Sequence, residues 1–147
     1  MKRLVSILLA CVPLAAASAV HAAPQWPDTP LAAHARAWFT QLRGDEAAAR
    51  AFFGEHFAAA ALAEAPIDER LARRRAMLER IGPLEPLEVV SHSPSSMVVK
   101  AREDDGDTPF VTFEAEPAPP HRLLGIGIDM RGPGEGPPPV AGPPLAE

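Results

Sequence analysis

His34 and Asp129 are the two side chains with the clearest potential for acid–base chemistry. A histidine changes its charge near neutral pH, and proton transfer needs such a base within reach of the reacting group. His34 precedes Trp38 by four residues and would share its side of a helix, while Asp129 ends the last predicted strand, where a pocket mouth would lie. A part-exposed helix histidine and an ordinary strand-end acid are the simpler interpretations, and we favour them.

Metal ligands are sparse. The histidines that follow the N-terminal segment lack the spacing of three or four residues that pairs ligands on one helix; they are His34, His56, His92 and His121. The acidic turn at 103–109 contains Asp105-Gly106, a strong hairpin signal. A calcium loop is the alternative, but strand residues follow at once where a calcium hand continues to its last Glu ligand. We therefore predict a solvated hairpin, no metal and no cofactor.

Residues 1–22 have the pattern of a secretory signal peptide, with Lys2 and Arg3 before an apolar run and a small-residue cleavage site at Ala22. Cys11, the only cysteine, lies within that run and resembles a bacterial lipoprotein site. We favour an incidental cysteine over lipidation. The mature protein is then periplasmic or secreted and has no disulfide.

Without Lys2 and Arg3, 12 basic and 19 acidic residues remain, a net charge of −7 for the predicted mature chain. This balance argues against nucleic acid and anionic membrane surfaces as partners. No second apolar stretch approaches the length of a membrane span.

Helix signals fill the first half of the mature chain. Thr29-Pro30 predicts a helix start, because threonine caps and proline fits the first position, and Gly44 predicts its end. The predicted helices are Pro30–Arg43, a second that Asp45 caps, and Ile67–Ile81, with the segment Ala58–Ala65 ambiguous. Arg73-Arg74-Arg75 suggests an anion site, but consecutive helix residues point in different directions, so we favour a solvated face.

Three alternating runs after residue 96 predict an antiparallel meander, preceded by a strand at Leu87–Val90. Val99 and Ala101 are predicted to face the helices, as are Val111 and Phe113. Helices followed by strands predict one α+β domain over 29–131, with N-terminal helices on one face of a curled sheet. A flexible lead-in at 23–28 and a disordered Pro/Gly-rich tail at 132–147 flank it; a polyproline ligand is the alternative for the tail.

The pattern resembles the small NTF2-like (cystatin-like) domain that precedes serine-hydrolase or peptidase domains in bacterial secreted proteins. The resemblance rests on Trp38-Phe39, the break Arg43-Gly44-Asp45, the helix that closes on Ile81-Gly82-Pro83-Leu84, and the ending Pro120 to Ile128. It covers about residues 29 to 130. No hydrolase motif or domain follows, so the resemblance implies a fold and a role beside an enzyme, with a periplasmic hydrolase as possible partner.

We expect a non-enzymatic binding module for a small apolar ligand, a peptide or a partner protein. Some NTF2-like proteins are isomerases or dehydratases with a buried Asp or His base, so a small isomerase or lyase using His34 and Asp129 is the alternative. The aromatic residues predict a helical core, and the same residues are the candidates for lining a pocket: Trp38, Phe39, Phe53, Phe57 and Phe113.

The outer face of the sheet predicts an interface. If Leu124, Ile126 and Ile128 face the helices, the other face carries Val98, Phe110 and Leu123 beside Gly125 and Gly127. Exposed together, these apolar residues would form a patch of the kind that monomers avoid, which predicts a weak homodimer or a docked partner. Glycines that only curl the sheet are the alternative.

Overall fold

A computed structural model describes residues 23–134 of the chain, so Cys11, the predicted signal peptide and the tail beyond Gly134 lie outside the described residues. Four helices precede four strands, which confirms the predicted α+β fold with N-terminal helices on an antiparallel sheet. The elements are α1 Pro30–Gln41, α2 Glu46–His56, α3 Ala59–Glu64, α4 Ile67–Ile81, β1 Glu85–His92, β2 Ser96–Arg102, β3 Phe110–Ala115 and β4 Leu123–Asp129.

The helix starts follow their predicted caps. The Thr29 side chain accepts a hydrogen bond from the Ala32 amide at 3.2 Å, and Asp45 accepts one from the Ala48 amide at 2.8 Å. These bonds satisfy amide groups that no helical carbonyl reaches. α1 ends two residues earlier than predicted, because the chain tightens into a turn in which the Gly44 amide donates to the Gln41 carbonyl. The ambiguous alanine-rich segment forms the short α3.

The core lies between the helices and the inner face of the sheet. Val99, Ala101, Val111 and Phe113 are fully buried there, as their alternation predicts. The predicted flexible lead-in is held to this core at one point, because Trp26 packs on Phe39 with ring centroids 6.2 Å apart.

A β-bulge corrects the predicted facing of β4. Ala115 pairs with Leu123 and Glu114 with Gly125, so Leu124 is an extra residue between two pairs. The extra residue resets the alternation, and Leu123 therefore points into the core with no exposed surface, while 41% of Leu124 is exposed. Leu123 does not belong to the predicted outer patch.

The outer face of the sheet mixes apolar and polar side chains. Val98 and Phe110 are only half-buried, but their cross-strand partners on this face include Lys100, Thr112 and Asp129. Association through this face stays a prediction, now with Leu124 in place of Leu123 beside Val98 and Phe110.

The Arg74 guanidinium ties α4 to the end of α1. It donates to the Gln41 side-chain oxygen at 2.8 Å and to the carbonyls of Gln41 at 2.8 Å and Gly44 at 2.7 Å. These carbonyls lie at a helix C-terminus, where intrahelical donors are lacking and a cation is favoured. α4 packs mainly on α2, whereas α1 packs on β2 and β3. Arg74 thus adds a polar link between α4 and the end of α1.

We expect Arg74→Met to lower the free energy of unfolding by about 1–3 kcal/mol, because it removes the guanidinium donor from the Gln41 side chain and from the carbonyls of Gln41 and Gly44. Arg75→Met is the matched control, since the Arg75–Glu46 pair is more than half exposed and contributes little. Urea unfolding of both variants measures the difference. Equal stability of the two variants would contradict the bridging role of Arg74.

Candidate functional site

An open cleft of about 280 Å³ lies between α4 and β4. Its floor is the second half of β4, its back is formed by aromatic side chains of α1 and α2, and its wall is α4. The lining residues are Trp38, Leu42, Phe53, Phe57, Arg70, Arg73, Arg74, Met77, Arg80, Ile126 and Ile128. The cleft therefore combines an apolar interior with a row of guanidinium groups.

The floor is apolar surface that the helices cover only in part. Ile128 pairs with Val111 and Ile126 with Phe113, so both isoleucines lie on the helix-facing side of the sheet. Ile126 packs against the core, whereas 39% of Ile128 remains exposed. The open part of the floor is therefore chiefly the Ile128 side chain.

One side of α4 forms the wall of the cleft. Arg70, Arg73, Met77 and Arg80 are separated by three, four and three residues, which places them along one side of α4. The three consecutive arginines were predicted to point in different directions. Arg75 does so, because its side chain points away from the cleft and pairs with Glu46. Arg73 lies at the edge of the cleft with 67% of its side chain exposed, as a solvated face predicts. Arg74 departs from that prediction, because its guanidinium is bonded to the end of α1. The spacing of Arg70, Arg73, Met77 and Arg80 along α4 was the sequence signal that could have placed arginines at the cleft.

Arg70 is anchored at one end of the cleft. Its guanidinium donates to the carbonyls of Ala65 at 2.8 Å and Ala61 at 2.6 Å, and it lies over the Phe57 ring at 4.3 Å. Burial lowers the pKa of Arg70, and the nearby positive charge of Arg73 lowers it further. The carboxylates of Glu69 and Glu64 act in the opposite direction on Arg70, so its positive charge is partly balanced.

The predicted aromatic residues divide into two groups. Trp38, Phe53 and Phe57 line the cleft. Phe39 and Phe113 instead lie behind it in the core, where the ring centroid of Phe113 is 5.5 Å from that of Trp38. Phe39 and Phe113 thus support the cleft from behind without forming its surface.

The structure does not bring His34 and Asp129 together. His34 lies near Pro120, His121 and Arg122, which precede β4, whereas Asp129 is the last residue of that strand. The length of β4 separates them by about 20 Å at 3.3 Å per residue. Asp129 is exposed, and a hydrogen bond from the Arg131 amide at 2.8 Å lowers its pKa. The two residues therefore do not form the predicted acid–base pair.

His34 instead contacts His56 across α1 and α2. Their Nδ1 atoms are 2.8 Å apart, so one ring donates to the other and both cannot be protonated at Nδ1. Burial lowers the pKa of each histidine, and for His34 the charge of His56 lowers it further. Arg122 acts in the same direction on both, while Glu55 opposes it at His56. Sequence patterns could not predict this contact, because 22 residues separate the two histidines.

The acidic turn closes as the predicted hairpin. The Asp107 amide donates to the Asp105 side chain at 3.2 Å, and the Glu103 amide to the Asp107 carbonyl at 2.8 Å. Glu103, Asp105 and Asp107 bring one carboxylate oxygen each within 4.8 Å of one another. Burial and this mutual repulsion raise the pKa of Glu103. That no metal binds here stays a prediction.

A second cavity of about 350 Å³ lies beside the start of α1. Its walls are mostly short side chains, and they include no aromatic residue other than two histidine rings. The lining residues are Thr29, Pro30, His92, Ser93, Pro94 and His121. The α4–β4 cleft, with large apolar side chains and several cations, is the better ligand site.

In comparisons with known proteins, no family model, no curated protein and no solved structure matches this chain. Within residues 23–134, none of the helices has the length and apolar character needed to cross a membrane. The site is therefore interpreted from its own chemistry.

We expect the protein to lose stability as the pH falls from about 7.5 to about 5.5, in part because His34 and His56 resist protonation when folded. Their folded-state pKa values lie below the unfolded value of about 6.5, so the unfolded chain takes up protons first. The stabilisation is complete above the unfolded pKa and is lost as the pH falls towards the folded pKa. Urea unfolding at several pH values measures the slope.

The double variant His34→Gln/His56→Gln should flatten this slope, whereas His92→Gln, which replaces an exposed histidine of β1, should preserve it. A double variant with the wild-type slope would show that the histidine contact does not couple protonation to folding.

Proposed function

We propose that this chain is a secreted or periplasmic, non-enzymatic binding module that holds an apolar ligand in the α4–β4 cleft. The observation that carries the proposal is the partly uncovered inner face of β4, where Ile126 and Ile128 form an apolar floor beside Trp38 and Phe57. Ligand sites in proteins are concave and mostly apolar, with a few polar groups that orient the ligand. The cleft has this composition.

The module belongs, in this proposal, with the NTF2-like domains that its sequence resembles. The arrangement of helices on one face of a four-stranded antiparallel meander is compatible with that assignment. A role beside a periplasmic hydrolase follows from the same resemblance. The alternative of a small isomerase has lost its acid–base pair, because His34 of α1 lies near the residues that precede β4, whereas Asp129 ends that strand.

Ile128→Glu should weaken the binding of Nile red, an uncharged apolar dye, by at least about tenfold, because it places a charge on the apolar floor. Leu124→Glu is a matched control on the same strand, since 41% of Leu124 and 39% of Ile128 are exposed but only Ile128 lines the cleft. Fluorescence titration measures both affinities, and circular dichroism confirms folding.

Leu124→Glu should bind the dye as the wild type does. Absence of dye binding to the wild-type protein, or equal loss in the two variants, would contradict an apolar site in the cleft.

A further inference from the structure

The cleft is positively charged in a protein that is otherwise acidic. α4 carries five arginines in 15 residues, and four of them line the cleft. The predicted mature chain has a net charge of −7. Arginines collected on one wall of an apolar cleft favour a ligand that is apolar along most of its length and negatively charged at one point.

We propose that the ligand is a single-chain amphiphile with one anionic head group, a carboxylate or a phosphate, which binds at Arg70 and Arg73 while its apolar chain lies on Ile126 and Ile128. This inference rests on the proposed function and names the class of ligand and its orientation.

Arg70 and Arg73 form the cationic end of the cleft. They are three residues apart on α4, and the charge of Arg73 is close enough to disfavour the protonated form of Arg70. The partner of Arg73 is Glu69, in an exposed surface pair that costs little to open. Arg70 keeps its place over Phe57 through two carbonyls. One fixed and one movable guanidinium can therefore approach the same head group.

The other two cleft arginines are engaged elsewhere. Arg74 donates to the end of α1, as described above. Arg80 lies at the far end of α4, where its charge acts on the Glu103 carboxylate. Asp105 and Asp107 lie beside Glu103, so an anionic head at this end would meet three carboxylates. At the opposite end the carboxylates that act on Arg70 are two, Glu64 and Glu69, and Glu69 is paired with Arg73. The two ends of the cleft therefore differ in the number of carboxylates beside them.

The strand direction then orients the chain of the ligand. Phe57, beneath Arg70, forms a β-bridge with Leu123 at the start of β4. Ile126 and Ile128 follow along the strand towards the acidic turn. An acyl chain that begins at Arg70 would therefore run along β4 over both isoleucines. The volume of about 280 Å³ lies at the small end of ligand sites, which fits one short chain and not a two-chain lipid.

The test compares decanoate, decyl phosphate and decanol as competitors of Nile red. We expect both anions to bind more tightly than decanol, because they share its chain and add the head-group charge. Arg73→Gln should weaken both anions about three- to tenfold and leave decanol within about twofold. The tighter of the two anions identifies the head group as carboxylate or phosphate, and either result supports the proposal.

Two controls use the same substitution on the same helix. Arg80→Gln alters the opposite end of the cleft, and Arg75→Gln alters a residue outside it. Both should retain the preference for the anions over decanol. Equal binding of decanol and the anions, or equal effects of Arg73→Gln and Arg80→Gln, would overturn the assigned head-group site. Loss of all binding, Nile red included, would instead overturn the proposed function.

Discussion

The position of the cleft wall depends on the hydrogen bonds from Arg74 to the end of α1. α4 buries Leu71 and packs Ile67, Met77, Leu78 and Ile81 against the core only in part, mainly beside α2. Its apolar stripe therefore leaves part of its surface open to solvent. Arg74 adds donors to the carbonyls of Gln41 and Gly44, which lie at and just beyond the end of α1. The result is a helix that lies beside the sheet and covers it only in part, and this gap is the cleft.

The same arrangement gives the arginines of one helix different surroundings. Arg74 and Arg70 are committed to backbone carbonyls, and Arg75 turns outward to Glu46. Arg73 lies between them with only an exposed ion pair. Positions three and four residues apart share a helix face, whereas neighbours do not. The apparent triplet of arginines thus separates into three different roles.

Local patterns in the sequence predicted much of the fold. Thr29-Pro30 and Asp45 predicted the starts of α1 and α2, and Gly82 the end of α4, because caps and breakers act over a few residues. Alternation predicted which side chains of β2 and β3 point into the core. It failed for β4, because a bulge places Leu123 and Ile126 on the same side, which strict alternation forbids. The histidine contact and the role of Arg74 depend on residues distant in sequence, which no local pattern reports.

The proposed function places the ligand between α4 and β4. The backbone amide resonances of the full mature protein, followed while decanoate is added, test this placement most directly. We expect shifts concentrated in 70–77 of α4 and 126–128 of β4, with the β1–β2 hairpin unchanged. Shifts concentrated instead around Thr29, His92 and His121, which line the second cavity, would contradict this placement.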